Sequence, residues 1–184
     1  MEIKETEILG LKVIQPKIFG DSRGFFFESY SAERYRQAGI NATFVQDNVS
    51  FSRRGILRGL HFQNPGTQGK LVQVLQGEVF DVAVDVRFGS KTFGKWFGIF
   101  LNEENKTQFW IPAGFAHGFM VTSETALFSY KCDAYYSPQT EYSLLWNDPD
   151  VGIAWPDIAP SLSAKDEKGL RLRDFEKTQL PRGD

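Results

Sequence analysis

LVQVLQGEVFDVAVDVR, running from Leu71 to Arg87, sets two apolar runs around one turn. Leu71 to Leu75 is apolar and branched. Gln76-Gly77-Glu78 is a turn signal, and Val79 to Arg87 then alternates with period two. Phe80, Val82, Val84 and Val86 share one face, and Val79, Asp81, Ala83 and Asp85 share the other. The second face carries two carboxylates, so it is expected to line a polar cavity rather than a dry core. Alternation of this kind is a strand signal, and the stretch therefore argues for a β domain.

The same signals recur on both sides. Phe93 to Leu101 and Lys106 to Ile111 flank the polar turn Asn102-Glu103-Glu104-Asn105, which predicts a hairpin. Phe119 to Thr122 and Ala126 to Cys132 flank Ser123-Glu124-Thr125, which predicts another. Many short strands with turn signals between them point to an all-β sandwich or barrel with a few short helices. The clearest helix runs from Ser31, a capping residue type, to Gly39, a left-handed stop. From Pro149 onward there is little periodicity. That stretch is expected to wrap the barrel and end in a weak helix near Ala164 to Leu170.

Length and charge narrow the function. The 184 residues predict one domain, 1–184. With 21 basic and 23 acidic residues the net charge is −2, which offers no footprint for nucleic acid or for an anionic membrane. No apolar run reaches the length of a membrane span. The single Cys132 cannot form an internal disulfide, and no signal-peptide run opens the chain, so a cytoplasmic protein is expected. Aromatics make up 15% of the chain, 17 of them Phe, which suits an aromatic-lined β cavity as well as a plain core.

Only two histidines are present, His61 and His117, each in a glycine-flanked segment. Histidine is the usual group for proton transfer near neutral pH, although a lone histidine is more often a hydrogen-bonded core residue. A metal centre is the rival reading. Barrel metal sites usually present three histidines, or two with a carboxylate, and no His-x-His pair exists here. No metal and no cofactor is expected.

Several segments resemble the dTDP-4-dehydrorhamnose 3,5-epimerase family. They are Gly20-Asp21-Ser22-Arg23-Gly24-Phe25-Phe26-Phe27-Glu28, Gln46-Asp47-Asn48, Gly55-Ile56-Leu57-Arg58-Gly59-Leu60-His61-Phe62-Gln63 and Gln68-Gly69-Lys70-Leu71-Val72. Gly77 to Arg87, Gly114-Phe115-Ala116-His117-Gly118-Phe119, Tyr130-Lys131 and Leu162-Ser163-Ala164-Lys165-Asp166 complete the set. The resemblance runs in the family's order from about Gly10 to Asp166. It implies a cupin-like jelly roll, a homodimer, and a dTDP-linked 4-keto-6-deoxyhexose as substrate.

The chemistry of such a substrate explains the residue types. A 4-ketone acidifies the protons on C3 and C5. Removing one gives an enolate, and returning a proton to the opposite face inverts the carbon. A base, an acid on the other face and a cation or donor at the enolate oxygen suffice. The resemblance implies His61 as base, Asp166 as its carboxylate partner, Tyr130 as acid and Lys70 at the enolate. Phe128, Tyr130 and Cys132 alternate on one strand face, so Tyr130 can point into a barrel. We expect Asp81 to orient Lys70. Arg23 and Arg58 match family positions for the diphosphate, a role that planar guanidinium donors fit. Gln46, Asn48 and Glu28 match contacts to base and sugar. His117, Glu141 and Lys165 match further substrate contacts, and Phe19 and Phe26 are candidate walls for the thymine.

Three other readings stay open on sequence. The first is a relative that inverts C3 or C5 alone. The second is a sugar-nucleotide-binding barrel without turnover, against which the joint presence of His61, Asp166, Tyr130 and Lys70 counts. The third is a metal-dependent cupin, disfavoured by the histidine count.

Overall fold

The computed structural model describes residues 1–183, so Asp184, the last residue of the expected domain, lies outside it. In chain order the strands are β1 (Glu2–Glu5), β2 (Lys12–Gln15), β3 (Ile18–Asp21), β4 (Gly24–Phe27), β5 (Gln46–Arg53), β6 (Leu57–Gln63), β7 (Lys70–Gln76), β8 (Glu78–Asp85), β9 (Trp96–Asn102), β10 (Gln108–Ile111), β11 (Phe115–Val121), β12 (Thr125–Cys132) and β13 (Glu141–Ser143). One α-helix, α1 (Ala32–Gln37), precedes β5.

Two antiparallel sheets face each other. One runs β1-β2-β10-β7-β12-β5 and the other β13-β6-β11-β8-β9, while β3 and β4 pair only with each other. From β5 onward the chain changes sheet at every step except β8 to β9. That is the cupin-like jelly roll that the family resemblance implies.

The same alternation corrects both expected hairpins. The strands on either side of Asn102 to Asn105 exist, but β9 and β10 lie in opposite sheets. So do β11 and β12. The turn itself forms as expected: the Asn102 side chain accepts from the Glu104 and Asn105 amides at 3.1 and 2.8 Å. The strands it joins do not pair, because a polar turn serves a hairpin and a corner between sheets equally well. Gly77 lies between β7 and β8, which are likewise in opposite sheets. Its φ is +78°, and a Cβ there would sit 2.0 Å from the Thr125 carbonyl oxygen, so only glycine fits where two corners press together.

Three apolar layers follow from strand alternation. Between the sheets lie Val72, Val74, Val79, Ala83, Phe109, Phe119 and Phe128. The wholly apolar face of β8, with Phe80, Val82, Val84 and Val86, turns outward and is covered by Val151, Leu172, Phe175 and Leu180 of the C-terminal wrap. Tyr35 of α1 covers the outer face of the other sheet with Ile14, Leu71 and Trp110. Each such buried side chain stabilises the fold by about 1.5–3 kcal/mol.

Two expectations about helices need correction. Ser31 precedes α1, but its side chain makes no capping bond; its carbonyl accepts from the Tyr35 amide instead. Gly39 does take the left-handed conformation, at φ +80°. The C-terminal helix shrinks to one 3₁₀ turn, Asp166–Lys168, followed by another at Leu172–Asp174.

Candidate active site

A cavity of about 450 Å³ opens between the sheets, lined by Ser50, Arg58, His61, Lys70, His117, Tyr130 and Asp166. A second lobe of about 290 Å³ shares His61, Lys70 and Tyr130 and adds Gln46, Asn48, Cys132, Tyr136 and Glu141. His61 comes from β6 in one sheet, and Tyr130 and Lys70 come from β12 and β7 in the other. A ring held between packed sheets, roughly 10 Å apart, would meet His61 on one side and Tyr130 on the other.

An irregularity in β6 lets one strand supply two site residues. Arg58 and His61 are three positions apart, so regular alternation would send them to opposite faces. The register against β11 slips between His117 and Phe119, where Arg58 pairs with Phe119 and His61 with His117. Gly59, at φ +118°, sits at the slip, and a Cβ on it would meet the Gly118 Cα at 2.5 Å.

The His61 Nε2 lies 2.6 Å from Asp166 Oδ1. A carboxylate can only accept, so Nε2 carries the hydrogen and the lone pair is left on Nδ1. Nδ1 is 3.8 Å from Glu141 Oε1. Asp166 is held in turn: its backbone N–H donates to Ser163 Oγ at 3.2 Å. The segment carrying it is laid along β6 by the Leu57 N–H to Ser161 carbonyl bond. Burial pushes the Asp166 carboxyl up, but the His61 and Ser163 hydrogen bonds outweigh this and hold it below its usual range.

Burial pulls the Lys70 ammonium below its ordinary value, against the pull of Cys132, Glu141, Asp81 and Asp133. Burial raises Tyr130, which keeps its hydroxyl protonated at neutral pH. His117 donates from Nε2 to both oxygens of Asp81 at 3.0 Å, so Asp81 orients His117 and not Lys70 as the sequence reading expected. Contrary to the expectation from sequence, the face of β8 bearing Asp81 does not line the cavity. Val79 and Ala83 join the apolar layer between the sheets, and the two carboxylates are fully buried, Asp81 bonded to His117 and Asp85 to Arg87, Ser90 and Thr92. Arg58 Nε donates to Ser52 Oγ at 3.0 Å. Gln46 donates to Asn48 at 3.0 Å. Lys165 Nζ and the Tyr136 hydroxyl both donate to Glu141 Oε2, at 2.7 and 2.9 Å. Among the described residues no group of three or more His, Cys, Asp or Glu is placed to hold a metal ion.

The structure thus gathers His61, Lys70, Tyr130, Asp166, Arg58, Gln46, Asn48, His117, Glu141 and Lys165. It does not bring Phe19, Arg23, Phe26 or Glu28 to the same cavity. Phe19, Arg23 and Phe26 belong to the β3–β4 hairpin, which pairs with neither sheet. Arg23 is 88% exposed and paired with Asp21, and Glu28 is paired with Arg34 of α1. Sequence reading passed over Ser50, which lines the cavity. Ser50 could have been found from its alternation with Gln46, Asn48 and Ser52.

The family model described as dTDP-4-dehydrorhamnose 3,5-epimerase matches residues 5–174. A curated protein of that name from Salmonella typhimurium is 55% identical over 169 residues, covering 90% of this chain and 92% of its own. One from Neisseria gonorrhoeae is 51% identical over 98% of this chain, which spans only 55% of that longer relative. A solved epimerase from Legionella pneumophila, in complex with dTDP-4-keto-L-rhamnose, superposes with a TM-score of 0.97 at 55% identity, covering 100% of this chain and 98% of that one.

Proposed function

The chain belongs to the dTDP-4-dehydrorhamnose 3,5-epimerase family, and on that premise we propose how its own residues carry the reaction. The enzyme is an isomerase that inverts C3 and C5 of dTDP-4-dehydro-6-deoxy-D-glucose to give dTDP-4-dehydro-L-rhamnose. His61 Nδ1 takes the proton from C3 or C5. The C–H electron pair moves into the C4 carbonyl, forming an enolate whose oxygen lies by the Lys70 ammonium. Tyr130 returns a proton from the opposite face, and the imidazolium of His61 then gives up its proton as the phenolate regains one, directly or through solvent. Atoms and charge balance without a metal or redox cofactor. Asp166 fixes the ring of His61 and favours the imidazolium that forms.

The observation that carries this reading is the placement of His61 and Tyr130 on facing sheets with Lys70 in the same cavity. Arg58 serves the diphosphate. His117, Glu141 and Lys165 contact the sugar nucleotide, and Gln46 and Asn48 line the lobe that takes its base.

The four residues outside the cavity fit a homodimer. Edge strand β5 exposes Val49 and Phe51, and the β3–β4 hairpin exposes Phe19, Phe25 and Phe26. Apolar surface of this kind marks an interface. In the dimer the hairpin of one subunit serves the cavity of the other with Phe19, Arg23 and Phe26, and with Glu28 just after it. A mass near the 20.9 kDa of one chain in light scattering at micromolar concentration would overturn this. No helix among the described residues is long and apolar enough to cross a membrane. The free thiol Cys132 and a nucleotide-sugar substrate support a cytoplasmic location.

Incubation with dTDP-4-keto-6-deoxyglucose in deuterated water, with a chelator present, tests the reaction. NMR is expected to find deuterium at both C3 and C5 in an inverted sugar. Label at one carbon would make the enzyme a mono-epimerase, and no label would make it a binding barrel. Recovery on adding a divalent ion would show that metal chemistry had been missed.

A further inference from the structure

Four side chains of β5 alternate toward the barrel interior: Gln46, Asn48, Ser50 and Ser52. Three have partners. Gln46 bonds Asn48 and accepts from the Tyr136 amide, Asn48 also reaches the Cys132 sulfur, and Ser52 accepts from Arg58. Ser50 Oγ has none. Among the described residues it is the one buried side-chain nitrogen or oxygen without a hydrogen-bond partner. Leaving such a hydroxyl unpaired costs about 1–3 kcal/mol, and its retention calls for a reason.

Its location supplies one. Ser50 lines the cavity of His61, Lys70 and Tyr130. Across the ladder Ser50 pairs with Phe128, and Asn48 pairs with Tyr130. Ser50 therefore stands between Tyr130, which faces the sugar, and Ser52, which holds the guanidinium assigned to the diphosphate. We infer that Ser50 is a substrate contact, its hydroxyl bonding the ring oxygen of the sugar, on the side nearer the diphosphate. A turn about χ1 between staggered wells brings the hydroxyl to the ligand. The contact registers the ring so that C3 and C5 lie between His61 and Tyr130. This rests on the epimerase reading above.

Ser50→Ala separates this role from a structural one. The variant removes a hydroxyl that the free protein leaves unsatisfied. Its melting temperature is expected to be equal to the wild type's or higher. Its kcat/KM for the 4-keto sugar nucleotide is expected to fall about five- to tenfold, as for one lost hydrogen bond. Affinity for dTDP alone, measured by calorimetry, should stay within about twofold, because dTDP lacks the sugar. Deuterium at neither carbon with wild-type enzyme would overturn the epimerase reading itself. With wild-type label present, an unchanged kcat/KM in the variant would overturn this inference alone. A melting temperature lowered together with activity would assign the hydroxyl to the fold. A matching loss of dTDP affinity would move the contact off the sugar.

Discussion

Two histidine–aspartate pairs share this barrel and are built differently. His117 and Asp81 sit on neighbouring regular strands, β11 and β8, whose register is unbroken from Phe115 to Val121. Their side chains are 7% and 0% exposed. His61 sits at the slipped part of β6, its side chain is 25% exposed, and Asp166 reaches it from a single turn of the C-terminal wrap. In the first pair both carboxylate oxygens meet one ring nitrogen. In the second, one oxygen holds one nitrogen and leaves the other facing the cavity. Identical side-chain types are thus divided by their backbones: a rigid pair forms a wall, and a pair joined across two segments presents a lone pair to the ligand.

The largest effect should come from breaking the open pair. His61→Asn removes the base, and turnover and deuterium exchange at both carbons are expected to fall by about a thousandfold or more. Exchange that persists at one carbon would give that carbon a second base, and His117 would be the first to test. Asp166→Asn leaves the base in place and removes the charge that orders its ring. A loss of about a hundredfold in kcat with little change in KM is expected. Equal loss in both variants would mean that the two residues act as one unit.

How much of this contrast could be read in advance depends on distance along the chain. The division of β8 into two faces was legible because alternation is local, and so was the inward direction of Tyr130; that the mixed face is wholly buried was not. The partner of Asp81 was not. His117 follows it by 36 residues, and only the β8–β11 register brings their side chains onto one face. The expected hairpins failed for the same reason, since no local signal says which sheet a strand joins. His61 and Asp166 were paired through family resemblance alone, and no spacing in the sequence links them. Phe19, Arg23, Phe26 and Glu28 were named through resemblance alone, because nothing local to the β3–β4 hairpin says which cavity it lies beside.

A smaller effect should follow from the closed pair. His117→Gln keeps a donor toward Asp81 and changes the wall. KM for the sugar nucleotide is expected to rise about tenfold while kcat stays within about threefold. A collapse of kcat with KM unchanged would place His117 among the groups that move protons, and the contrast between the pairs would fail.

The smallest effect is on stability, and it isolates His117 further. Burial, its largest influence, lowers the His117 imidazole from its ordinary value of 6.5. Lys70 and His61 push the same way, while Asp81 opposes them. The unfolded chain therefore takes up this proton near pH 6.5 while the folded protein still refuses it. Stability from this group is complete above that pH and is lost as the pH falls from there through the folded value. The depressed carboxyls behave on a separate scale. Asp166, Asp85 and Glu141 have ordinary values of 3.8, 3.8 and 4.5, so their contributions persist above those values and fade at lower pH. Between pH 6.5 and 5 the histidine contribution stands apart. Urea unfolding at fixed protein concentration should show the wild type losing up to about 1.4 kcal/mol per pH unit more than His117→Gln over that window. Parallel losses in the two proteins would mean that His117 titrates alike folded and unfolded. The buried wall would then be open to protons, and the distinction drawn from exposure would rest on Asp166 and the backbone of β6 alone.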